Sequence, residues 1–269
     1  MTTLAYTLTD SRTMLRRQLK HLLRYPSMTV LLLGMPVIFL LLFVYVFGGQ
    51  LGAGLTHEHL AGHGSRSIYL NFVVPGILLM TIGAAANGTA ILVAMDMTGG
   101  IVARFRTMSI ARASVLAGHV LGSVIQALLG VAVVTGIALA LGFRPTASPL
   151  DWLAALAILA LFANALAWLS TALGLAAKSV ETASNTPMFL TLLPFLSSGF
   201  VTIASLPPGL QQFARYQPFT PVTDAIRGLL FGGASVASDV LPAIAWSIGI
   251  ALTSYLWARR LYDRRSVTG

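Results

Sequence analysis

Several groups of residues in this chain have types, and in part spacings, that chemistry could use. The run HEHLAGH at 57–63 gathers His57, Glu58, His59 and His63, a set from which a divalent metal could be held. The H-E-x-x-H spacing of a zinc hydrolase fails there, because Ala61 stands where the second histidine belongs. Glycines on both sides also give such ligands no rigid scaffold, so a polar loop without metal is expected. Nucleotide chemistry fares worse. A P-loop needs a lysine directly after glycine to reach the phosphates, and the two lysines, Lys20 and Lys178, follow Leu19 and Ala177.

Other catalytic arrangements are equally incomplete. An intramembrane hydrolase needs a nucleophile and a base on facing helices. His119 is the histidine nearest an apolar run and is expected to pack near its border. Ser197 and Ser198 carry no G-x-S-x-G elbow and lie toward the opposite face. No carboxylate lies deep in an apolar run, where one would mark ion or proton coupling. Asn71, Asn87, Gln126 and Asn164 are the main polar groups in or near those runs, and hydrogen bonds between helices are expected of them.

The elements that would position these residues follow from composition. Of 269 residues, 56% are hydrophobic and 9% charged, against roughly 25% charged in soluble domains. A helix crosses a hydrocarbon core of about 30 Å with about 20 apolar residues. Six segments meet that length, at 28–48, 68–95, 114–142, 152–177, 186–205 and 240–258. An all-α membrane protein is therefore expected, with residues 1–27 before the spans and a basic tail at 259–269. The first segment is too long for a signal-peptide core and no A-x-A-like site follows it, so it reads as a retained anchor. With no cysteine, disulfide and thiolate chemistry are excluded.

The net charge of +9 is a topology signal. With both termini in the cytoplasm, Arg12, Arg16, Arg17, Lys20, Arg24, Arg104, Arg106, Arg112, Lys178, Arg259, Arg260, Arg264 and Arg265 lie inside. Only Arg66, Arg144, Arg215 and Arg227 lie outside, the positive-inside bias. Nucleic acid is not an expected partner. The four tryptophans, Trp152, Trp168, Trp246 and Trp257, read as interfacial anchors or packing residues.

Three amphipathic stretches lie between or before the spans. In residues 10–25, Arg12, Arg16, Lys20 and Arg24 recur every fourth position opposite Leu15, Leu19, Leu22 and Leu23. That period predicts a helix lying on the inner surface, ended at Tyr25-Pro26, with a solvated basic tail as the simpler alternative. On the outer side, LPPGLQQFARYQ (206–217) and TPVTDAIRGLLF (220–231) predict two short helices. Leu206, Leu210 and Phe213 share a face of the first. Thr220 is the expected N-cap of the second, Pro221 its first residue, and Asp224 and Arg227 are spaced to pair.

The segment GIVARFRTMSIARASVLAG (100–118) joins the second and third spans on the inner side. It resembles the corresponding loop of type-2 ABC transporter permeases, particularly the daunorubicin-resistance type, in which a basic R-F-R element follows a glycine. SSGFVTIASLPPGLQQFARYQPFTPVTDAIRGLL (197–230) is similar to the region after the fifth span in the same family. With the six spans and the N-terminal helix, the resemblance covers nearly the whole chain.

That resemblance implies a half-transporter: two six-span permeases pair, and each docks on a separate ATP-hydrolysing subunit that holds the ATP and magnesium. The chain itself would bind no cofactor and be no enzyme. Residues 96–113 would be a coupling helix, with Arg104, Arg106 and Arg112 giving charge-assisted contacts and Phe105, Met108 and Ile110 apolar anchoring. The simpler reading of those arginines is topology alone. The 10–25 helix would rim the ATPase, and Leu210, Phe213, Pro221, Asp224 and Arg227 would belong to an extracellular gate. The expected function is export of a hydrophobic or amphipathic compound, a drug, polyketide or lipid, across a bacterial plasma membrane. Export of a lipid-linked polysaccharide or glycolipid is the rival within the family. A lipid-modifying membrane enzyme and a non-transporting scaffold are rivals of other classes.

Overall fold

The computed structural model describes residues 26–49, 65–98, 112–232 and 236–265. Among these residues every regular element is helical. The expected N-terminal helix, the histidine-bearing loop, residues 99–111 of the expected coupling helix (96–113), and residues 233–235 and 266–269 lie outside the described residues.

Helix α1 runs Pro26–Leu42 and widens into a π-helical turn at Phe43–Phe47. Proline suits a first helical position, where its missing N–H has no partner to lose. Four long helices follow: α2 (Ser65–Thr98), α3 (Arg112–Ala140), α4 (Pro149–Ala176) and, after the shorter elements, α9 (Val236–Arg265). Each contains a stretch long and apolar enough to span a bilayer, and Gly34–Phe47 of α1 is a shorter apolar helix. Four helices long and apolar enough to span thus lie where the second, third, fourth and sixth spans are expected, and α1 lies where the first is expected but its apolar stretch is shorter. The start of α4 is fixed by a reciprocal cap. The Asp151 backbone N–H donates to Ser148 Oγ, and the Ser148 N–H and hydroxyl both donate to Asp151 Oδ2.

The expected fifth span, 186–205, is not one continuous helix. Helical chain starts earlier, at α5 (Val180–Asn185), capped by Ser179, and continues through α6 (Met188–Leu192) and a 3-10 turn at Leu193–Leu196. Pro187 and Pro194 each remove a backbone donor, which breaks the ladder between these pieces. After Leu196 the chain turns over at Ser197–Gly199. At about 1.5 Å per residue, Val180–Leu196 falls a few ångströms short of a 30 Å core. Two short helices then lie past the turn, α7 (Pro208–Tyr216) and α8 (Phe219–Phe231), near the predicted limits.

Helix α2 is the spine of the bundle. It packs against α1, α3, α4, α5, α6 and α8, while α9 packs chiefly on α4 and α8. The main core is built from α2 residues such as Leu70, Ile77 and Ile82 with Val131, Phe162, Phe219 and Ile226. Three places along α2 bring backbones close. A Cβ added at Gly76 would lie 2.9 Å from the Gly199 carbonyl oxygen, and one at Gly83 2.6 Å from that of Leu190. One added at Gly174 of α4 would lie 2.6 Å from the Ala90 carbonyl oxygen. Gly76, Gly83 and Ala90 follow one another every seven residues, so small residues line one stripe of α2.

Buried hydroxyls return mainly to their own helices, as an apolar surrounding demands. Thr81 donates to the Ile77 carbonyl at 2.8 Å and Ser247 to that of Ala243 at 2.7 Å. Two contacts cross between helices, Thr89 with Ser123 Oγ of α3 at 2.6 Å and Thr220 of α8 with a carbonyl of α7, while Ser170 Oγ and Thr171 Oγ1 have no partner among the described residues. The asparagines do less than expected. Asn71 Oδ1 and Asn87 Oδ1 are buried without a hydrogen-bond partner among the described residues. Trp168 stacks edge-on with Tyr255, and Trp246 and Trp257 are exposed on α9.

Candidate functional site: polar clusters at the two ends of the bundle

The end of the bundle away from the 99–111 connection holds a polar cluster around Arg227. Asp224 and Arg227 are one turn apart on α8 and pair at 3.0 Å between Asp224 Oδ1 and Arg227 Nη1, as their spacing predicts. The Ser198 hydroxyl donates to the same carboxylate oxygen at 2.6 Å. Arg227 Nη2 donates to two carbonyls, Ser198 at 2.7 Å and Phe72 at 3.2 Å, and the guanidinium lies 4.8 Å from the centre of the Phe72 ring. One arginine thus ties α8, the Ser197–Gly199 turn and α2 together. The Phe72 carbonyl lies next to that of Asn71, whose helical donor Pro75 removes, so α2 is locally open where the guanidinium reaches it.

The turn is held from other sides as well. The Ser197 hydroxyl donates to the Pro194 carbonyl at 2.5 Å and accepts the Gly199 N–H at 3.1 Å. Gln217 donates to the Leu193 carbonyl at 3.2 Å. Phe195 and Phe200 stack at 4.7 Å and meet Phe43 of the π-helical turn at 6.4 and 5.2 Å. Burial raises the Asp224 carboxyl above its ordinary range, opposed by the Ser198 hydrogen bond and the Arg227 charge.

Of the residues expected at an outer gate, Pro221, Asp224 and Arg227 come together on α8. Leu210 and Phe213 lie on α7 and are exposed with Tyr216, while α7 buries Ala214. Leu206 precedes that helix. Thr220 is not the N-cap of α8. The helix starts at Phe219 behind Pro218, and Thr220 donates to the Ala214 carbonyl instead. Thr220 lies in the first turn of α8, past the cap position, and its hydroxyl closes the corner between α7 and α8 onto the end of α7.

At the other end, α2 runs to Thr98 and α3 starts at Arg112, so both stems of the 99–111 connection are helical. Of the expected coupling residues, Arg112 is the first residue of α3. Arg104, Phe105, Arg106, Met108 and Ile110 lie outside the described residues, as do Arg12, Arg16, Lys20 and Arg24. His119 corrects its expected role as border packing. Its Nε2 lies 3.2 Å from Asp96 Oδ2, and both side chains are largely buried. The contact joins α2 to α3 and went unread because residues 23 positions apart become neighbours only once the helices pair. An apolar group of Val93, Leu116, Ala172, Leu175, Ala258 and Tyr262 packs the same end. No set of three or more metal-ligating side chains converges among the described residues.

Long apolar helices with few internal charges around one central helix, and a short broken fifth segment followed by two non-spanning helices, define an integral membrane protein. The model of the ABC-2 type transporter family matches residues 9–231, and the chain belongs to that family. It is a type-2 ABC permease with relatives of the drug-resistance type. It is 30% identical over 229 residues to the daunorubicin resistance ABC transporter permease protein DrrB1 of Streptomyces coeruleorubidus, covering 85% of this chain and 74% of that one. It is 27% identical over 222 residues to the probable doxorubicin resistance ABC transporter permease protein DrrC of Mycobacterium tuberculosis, covering 81% and 75%.

Proposed function

We propose that this chain is the permease subunit of an ATP-driven exporter that moves a hydrophobic or amphipathic compound out across a bacterial plasma membrane. The observation that carries the reading is the family match across residues 9–231, together with relatives named for resistance to daunorubicin and doxorubicin. Two copies of a separate ATPase subunit bind ATP and magnesium, and two copies of this chain pair to form the path. Both termini face the cytoplasm, and the short helices α7 and α8 lie at the outer face as part of the gate.

Within this reading, the 99–111 connection, with Arg112 at the start of α3, docks on the ATPase. Arg104, Arg106 and Arg112 supply charge-assisted contacts, and Phe105, Met108 and Ile110 fill an apolar cleft. The basic helix bearing Arg12, Arg16, Lys20 and Arg24 lies alongside. ATP binding draws the two ATPases together, and the connections carry that motion to α2 and α3. Leu210, Phe213, Pro221, Asp224 and Arg227 then open or close the outer exit.

Affinity purification from the native host in mild detergent, followed by mass spectrometry, tests the reading. A stoichiometric ATPase with a P-loop is expected, retained by the wild type and lost from the Arg104→Glu/Arg106→Glu double variant, which still inserts in the membrane. Recovery of the chain without any ATPase would overturn the assignment. An ATPase retained equally by the double variant would overturn the role of the two arginines.

A further inference from the structure

We infer that Asp96 and His119 form a clamp that makes the two stems of the 99–111 connection move as one body, so that a push on the connection reaches the far end of α2. The inference rests on the proposed docking of that connection on an ATPase. Asp96 lies two residues before the end of α2, and His119 seven residues after the start of α3. Their 3.2 Å contact pins the two helices at that point. With both side chains largely buried, water offers either group little substitute for its partner. The carboxylate accepts from Nε2–H in either charge state of the imidazole, which places a ring proton on Nε2. His119 Nδ1 is buried without a partner among the described residues, so the ring is held from the Asp96 side.

A second polar contact stands deeper along the same seam. Thr89 is seven residues, or about two turns, from Asp96, and Ser123 is four residues, or about one turn, from His119. Their 2.6 Å hydrogen bond again joins α2 to α3. Two polar contacts in line add directional restraints against sliding and splaying of the stems to those of apolar packing. From α9, Tyr262 is buried against Val93 of α2 and Leu116 of α3 beside this region, and Arg259 and Arg260 of the same helix are exposed.

The far consequence follows from the length of α2. Asp96 and Phe72 lie on that one helix, 24 residues and so about 36 Å apart along its axis. Phe72 is where Arg227 grips α2. A displacement entering at the clamp therefore leaves at the Arg227 cluster. Asp96 and His119 are positioning residues in this scheme and touch no substrate.

The absence of cysteine makes the test direct, since an introduced thiol is unique. Tyr216, exposed on α7, is replaced by cysteine and labelled with an environment-sensitive fluorophore before the ATPase subunit is added. The assembled complex in lipid nanodiscs is then given magnesium-ATP and vanadate. Wild type is expected to show a nucleotide-dependent fluorescence change. Asp96→Asn and His119→Asn are expected to bind the ATPase and hydrolyse ATP, with the fluorescence change reduced at least fivefold. The exchanged pair, Asp96→His with His119→Asp, is expected to recover most of it.

A full fluorescence change in either single variant would overturn the clamp. So would an exchanged pair that folds and responds no better than the singles. Should the singles fail to fold, the exchanged pair decides alone, with Asp96→Glu as a second variant that keeps the contact. A wild-type complex that binds no ATPase refutes the proposed function instead.

Discussion

Arg227 offers the sharpest test of how the outer cluster is built. Replacing it with methionine keeps an unbranched chain but removes the charge and every donor. Asp224 would then keep only the Ser198 hydroxyl, and the carbonyls of Ser198 and Phe72 would lose a charged donor. Leaving one partner of a fully buried pair alone costs about 3–5 kcal/mol. The Asp224 side chain is 33% exposed, so water recovers part of that cost and about 2–3 kcal/mol remains. The two carbonyls add about 1 kcal/mol together, for a total of about 3–4 kcal/mol. Asp224→Asn alone should cost about 1–2 kcal/mol, because the amide can keep the Ser198 contact. The double variant carries no orphaned charge. It should be less destabilised than the sum of the singles by about 2 kcal/mol. The four tryptophans allow unfolding to be followed by fluorescence as SDS is added to mixed micelles. A coupling below about 0.5 kcal/mol would refute the assignment of the cluster's strength to a charge pair.

Further outcomes follow from close packing and capping. Gly174→Ala places a methyl 2.6 Å from the Ala90 carbonyl oxygen and should destabilise by about 2–3 kcal/mol in the same assay. Gly136→Ala, which meets nothing within 4 Å in α3, should be neutral or stabilise by up to about 1 kcal/mol. Equal effects of the two would contradict the packing argument. Ser148→Ala breaks the reciprocal cap of α4 and should cost about 1 kcal/mol, with local loss of amide protection at Asp151 and Trp152 by hydrogen exchange.

The long helices were legible in the sequence because about 20 apolar residues in a row have few other outcomes. The two short helices were legible too. Pro207 and Pro208 stop one element and start the next, and the three-residue spacing of Asp224 and Arg227 already implied their bond. The fifth segment was misread because apolar content measures affinity for lipid and says little about backbone continuity. Pro187 and Pro194 were visible, but prolines also occur inside α2 and α9, whose helices continue through them. The contacts between elements were not legible at all. Asp96 with His119, Thr89 with Ser123, and Ser198 with Asp224 depend on which helices pair and in what register, and no local pattern encodes that. Thr220 failed for a related reason: it lies past the cap position, and the corner supplied its hydroxyl an acceptor from the preceding helix.

The glycine and alanine stripe on α2 bears on how a helix can travel. Ordinary helices mesh through side-chain ridges seated in grooves, and axial movement must lift each ridge over its neighbour. At Gly76 and Gly83 the backbones of the Ser197–Gly199 turn and of α6 come up to α2 with no α2 side chain between them, so that face resembles a plain bearing. Such a surface tolerates gliding along the helix axis and resists separation, since dispersion is lost as soon as a gap opens. Motion of the spine against the fifth segment is thereby biased toward shear of a fraction of a turn, with the broken helix riding as a shoe on the rail.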